Sequence, residues 1–73
     1  GQTTPTNQQV QLVKQIVGGE ENLLQIRKRY FDGNRHLIAK WITPQESADI
    51  VSRLRAVGNK NVEVKYAETI DYI

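Results

Sequence analysis

Leu23-Leu24-Gln25-Ile26-Arg27-Lys28-Arg29-Tyr30-Phe31-Asp32-Gly33-Asn34-Arg35-His36-Leu37-Ile38-Ala39-Lys40-Trp41-Ile42 is the stretch on which the fold turns. Two apolar-rich runs flank Asp32-Gly33, and both of those residues tolerate the positive φ that a type I′ turn demands. The stretch therefore reads as an antiparallel β-hairpin. With Asp32-Gly33 as the turn, Leu24–Trp41, Ile26–Ala39, Lys28–Leu37 and Tyr30–Arg35 pair on one face. Gln25–Lys40, Arg27–Ile38, Arg29–His36 and Phe31–Asn34 pair on the other. A slip of one residue would exchange the two faces, so the register is a testable expectation.

Working outward, residues 1–6 are polar, include Pro5 and read as a flexible lead-in whose last members can cap a helix. Val10, Leu12, Val13, Ile16 and Val17 recur at helical spacing, and Gly18-Gly19 halts the run where a left-handed cap is wanted. On the far side of the hairpin, Thr43-Pro44-Gln45-Glu46 is a capping box with proline at the first helical position. The helix it opens carries Ser47, Ile50, Val51, Leu54 and Val57 on its apolar stripe, Asp49, Ser52, Arg53 and Arg55 outside, and Gly58 at its end. Val62 to Glu68 alternate as a strand does, with Val62, Val64 and Tyr66 inward, while Thr69 to Ile73 fit a further short strand or a frayed end equally well. The expected fold is thus one small α+β domain over residues 7–73, in the order α-β-β-α-β. A hairpin and a further strand form the sheet, and two helices pack on one of its faces.

A chain of 73 residues buries a modest core and leaves little room for a deep substrate cavity. Its 38% hydrophobic and 25% charged residues suit a folded globular domain, and neither an apolar run long enough to span a membrane nor a signal-peptide profile is present. A cytoplasmic setting, with no membrane partner, is expected. The absence of cysteine excludes disulfides, thiolate nucleophiles and cysteine-held metal sites. His36 is the single histidine, which is too few for a histidine-built metal centre, so no metal and no cofactor is expected. The net charge of +2, from ten basic and eight acidic residues, is low for an electrostatically driven nucleic-acid binder.

No carboxylates pair as a catalytic dyad, and no hydroxyl or amine has a base placed to activate it. The glycines do not form a phosphate-cradling loop either, so no enzyme and no small-molecule substrate are expected. The feature above background is the outer hairpin face, where Arg27, Arg29, His36 and Lys40 surround Ile38, with Lys28 and Arg35 near by as further phosphate contacts. Such a mixed basic and apolar face suits a protein partner or self-association. It also suits nucleic-acid phosphates, although the lack of aromatics on it argues against base stacking. The ordinary alternative is that these cations keep an uncovered sheet face soluble.

Val17-Gly18-Gly19-Glu20-Glu21-Asn22-Leu23, following an apolar helix, resembles the opening of the EIIB domain of sugar phosphotransferase systems, which also runs helix, hairpin, helix. The resemblance covers about ten residues, and the phosphorylated cysteine of that family has no counterpart here. What it implies is therefore a regulatory or structural relative without phosphoryl transfer. Ile42 to Ala67 is likewise similar in pattern to the small linker-type domains of phycobilisomes, and the order of elements is similar to that of small phage head-joining proteins. The reading the residues support is a non-catalytic interaction module, with nucleic-acid binding and an EIIB-like domain lacking its cysteine as alternatives.

Overall fold

Residues 23–30 are a helix. In the computed structural model, which describes residues 3–40, 43–59, 63–65 and 69–71, the order is α1 (Asn7–Val17), α2 (Leu23–Tyr30), β1 (Leu37–Lys40), α3 (Pro44–Ala56), β2 (Glu63–Lys65) and β3 (Thr69–Asp71). The helices hold 11, 8 and 13 residues and the strands 4, 3 and 3, so the described chain is mostly helical. This corrects the α-β-β-α-β expectation: the first arm of the supposed hairpin is α2, and no hairpin turns at Asp32-Gly33. β1 pairs antiparallel with β3, and β3 with β2, giving the strand order β1-β3-β2. Trp41, Val62 and Tyr66, expected to point inward, lie outside the described residues.

The physical reason for α2 lies at its ends and along its buried side. The Asn22 side chain accepts from the Gln25 amide at 2.9 Å, and the Gln25 side chain accepts from the Asn22 amide at 2.8 Å. These two bonds satisfy orphan donors of the first turn. Arg27, Lys28 and Arg29 fill the last turn, where cations meet the negative end of the helix dipole. Leu23, Ile26 and Tyr30 then fall on one side of the helix, and Ile26 is fully buried. Asp32 serves a different turn from the one expected. Its carboxylate accepts from the Asn34 amide at 2.9 Å, and Gly33 takes φ 90°, so residues 31–36 form a connection from helix to strand.

The other two helices follow their signals. Thr6 and Gln9 cap α1 reciprocally, as Thr43 and Glu46 cap α3. The end of α3 is a Schellman motif, in which the Asn59 amide donates to the Leu54 carbonyl and the Gly58 amide to that of Arg55, both at 3.0 Å, with Gly58 at φ 93°. Val10, Leu12 and Val13 of α1, Ile26 of α2, Phe31, Ile38 of β1, and Val51 and Leu54 of α3 make the core. Gln9, itself buried, ties two helix ends together: its side-chain oxygen accepts from the Thr6 amide, and its Nε2 donates to the Val57 carbonyl at 2.9 Å. Pro5 is buried as well, so the described part of the lead-in lies against the domain.

Candidate partner-binding surface

Among the described elements α2 packs on α1, and its residues Leu24, Arg27 and Lys28 are exposed. Helical spacing places these three together on one outer side, three and four residues apart. Leu24 is 60% exposed and Leu23, beside it, 39%, and Arg27 and Lys28 are both exposed. Among the described residues no ion pair engages Arg27 or Lys28. Leu24, held in water next to these cations, contributes little to the fold, since burying apolar surface is what stabilises and it leaves most of its own uncovered.

The seam between α1 and α2 holds two depressions. One is lined by Asn7, Val10, Leu23, Leu24 and Arg27. The other is lined by Gln11, Lys14, Gln15, Gly18, Gly19 and Leu23, so Leu23 borders both. Neither lining includes a carboxylate. Glu20 and Glu21 follow Gly19 in the sequence; Glu20 is exposed, while the Glu21 carboxylate accepts from Arg29 and its carbonyl from Lys14.

The residues singled out from the sequence are distributed differently from the hairpin face. Arg27, Lys28 and Arg29 sit on α2, while Arg29 turns back to Glu21 and lies with its guanidinium carbon 5.7 Å from the centre of the Tyr30 ring. His36 is half-buried in the connection between α2 and β1. Its ring meets that of Tyr30 edge-on, with centroids 5.7 Å apart, and its Nε2 lies 2.7 Å from the Asp32 carboxylate. With the Asn34 amide on the same oxygen, this contact holds the Asp32 carboxyl down to about 2, the hydrogen bond from His36 being the larger cause. Ile38, expected as the apolar contact of the outer face, is 6% exposed and belongs to the core. Arg35 is exposed in the connection, and Lys40 ends β1. Arg27, Arg29, His36 and Ile38 therefore do not share a face.

Leu23 and Leu24 escaped the sequence reading as surface residues because the strand register gave Leu24 an inward partner in Trp41. Asn22 and Gln25 at capping-box spacing carried the signal that would have exposed them. No helix among the described residues is long and apolar enough to cross a membrane. The helix, hairpin, helix order behind the EIIB resemblance is replaced by helix, helix, strand, helix. No family model, curated protein or solved structure matches the chain.

Proposed function

We propose that this chain is a non-catalytic interaction module that binds a protein partner through the outer side of α2 and its seam with α1. The observation that carries the reading is Leu24, 60% exposed and flanked by Arg27 and Lys28, which no ion pair engages among the described residues. Arginine is enriched among the residues that anchor binding surfaces, and here Arg27 adjoins two neighbouring exposed leucines, Leu23 and Leu24. The polar contacts proposed are Arg27 and Lys28, with Leu23 and Leu24 as the apolar ones. Arg29 and His36 shape the neighbourhood through Glu21 and Asp32.

A second reading uses the same cations, with Arg35, as contacts to nucleic-acid phosphates, and it draws on the lack of a carboxylate partner for Arg27 and Lys28. Salt separates the two. Phosphate neutralisation makes affinity fall log-linearly with salt, whereas a surface anchored by Leu23 and Leu24 depends on them more than on ionic strength. The test follows amides of the labelled protein from Asn22 to Lys40 while a short duplex and a single strand are added at low and physiological salt. Salt-suppressed shifts along α2 move the function to nucleic acid. A companion arm replaces Leu24 by Ser and Lys28 by Glu, with the unfolding free energy in urea expected within about 0.5 kcal/mol of the parent. A loss of several times that would make both residues structural and remove the proposal.

A further inference from the structure

We infer that the groove lined by Asn7, Val10, Leu23, Leu24 and Arg27 seats an apolar side chain of an acidic peptide segment from the partner protein, with Arg27 paired to a carboxylate beside that side chain. The inference rests on the α2 interaction reading and names the chemistry of its partner.

The groove has an apolar floor and a one-signed rim. Val10, Leu23 and Leu24 supply the aliphatic surface, and Val10 is buried, so the floor is continuous with the core. The charged residue of the lining is Arg27, and Lys28 follows it on the exposed side of the same helix. α1 opens at Asn7 with no acidic residue in its first turn, so nothing there offsets the positive end of its dipole. The adjoining depression adds Lys14; Glu20 follows Gly19 at its end, away from Arg27 in the sequence, and Glu21 is held by Arg29. A ligand therefore gains by bringing negative charge to an aliphatic contact, and it gains most when one short segment supplies both. Arginine suits the carboxylate because its planar guanidinium offers two parallel N–H donors.

The competing occupants fit less well. A second copy meeting this face across a two-fold axis would bring the same basic patch to both sides, with no carboxylate in the lining to pair Arg27. A nucleic-acid strand brings anions but no aliphatic group for the floor, and the lining offers no aromatic ring on which a base could stack.

The experiment titrates the labelled 73-residue chain with a synthetic peptide in which leucines recur at helical spacing between glutamates. A control peptide carries lysine at every glutamate. The expected result is shifts at Asn7, Val10, Leu23, Leu24 and Arg27 with the acidic peptide and none with the basic one. Arg27→Gln is expected to weaken binding about tenfold, the loss of one partly exposed charge-assisted pair. Leu24→Ser is expected to weaken it at least as far, with both variants keeping the parent's circular dichroism and urea midpoint. Equal response to the two peptides overturns the inference, since the rim charge then selects nothing. Shifts confined to Arg27, Lys28 and Arg29, with Val10 silent, overturn the groove as the seat and leave α2 as the binding surface. Silence toward both peptides overturns the inference alone, whereas silence joined to a salt-suppressed response to single-stranded nucleic acid overturns the α2 reading too.

Discussion

Asp32 shows how one side chain can carry a structural message that its sequence context disguises. Its carboxylate takes the Asn34 amide and the His36 ring, and the pair holds its pKa down to about 2. A carboxyl held lower in the folded than in the unfolded chain stabilises the fold at any pH above the ordinary carboxylate value of about 4. That contribution drains away as pH falls toward 2. The carboxyl carbon of Asp32 is therefore expected to titrate well below the other acids, and Asp32→Asn should flatten the acid limb of stability between about pH 4 and pH 2. An Asp32 that titrates with the rest refutes the connection as described. Gln9 makes the companion case from a buried position. Gln9→Ala leaves the Thr6 amide and the Val57 carbonyl without their partner, and a loss of about 1–3 kcal/mol in urea unfolding is expected.

At the scale of elements, α2 separates what was legible in the sequence from what was not. The start of α3 was readable from Thr43, Pro44 and Glu46, and Ser47, Val51 and Leu54 of its stripe turn inward as their spacing requires, while the helix ends at Ala56 with Val57, the last stripe residue, as its cap. α1 followed for similar reasons. Over only eight residues, however, period two and period 3.6 overlap: Leu24, Ile26 and Lys28 alternate, while Leu23, Ile26 and Tyr30 share a helix side. The Asp-Gly signal tipped the balance, although Asp32 uses its side chain to bond Asn34 and needs no facing strand. What the strand reading lacked was the weight of Asn22 and Gln25, two reciprocal bonds that a strand has no use for. Asn22→Ala is accordingly expected to cost about 1 kcal/mol and to fray residues 23–26 first, seen as a drop in their helical carbon shifts. A strand there would hardly register the change. Gly58→Ala probes the other kind of helix end, since φ 93° strains any side chain and the added Cβ would sit 3.4 Å from the Gln9 amide nitrogen. A loss of about 1 kcal/mol or more is expected from the same unfolding measurement.

Across the whole molecule the two readings of residues 23–42 differ in which side chains they bury, and the core decides between them. Ile26 is inward in both, but Ile38 changes sides: a hairpin sets it on the outer face beside Arg27, whereas the structure sets it in the core with Phe31 and Leu54. That exchange removes Ile38, the apolar anchor of the partner-binding set read from the sequence, and in the proposed surface its place passes to Leu23 and Leu24 beside Arg27 and beside Lys28, which the sequence offered as a phosphate contact. One substitution series tests fold and site together. Ile38→Ala is expected to destabilise by about 2–4 kcal/mol, as removal of a buried aliphatic group does, while Leu24→Ala stays within about 0.5 kcal/mol. A domain this small holds only about 5 kcal/mol in reserve, so Ile38→Ala is expected to broaden or unfold the amide spectrum at modest temperature. Because a residue spent on stability cannot also be offered to a partner, the order of the two costs matters more than their size. Ile38 costing less than Leu24 would restore the hairpin face and, with it, a different binding surface.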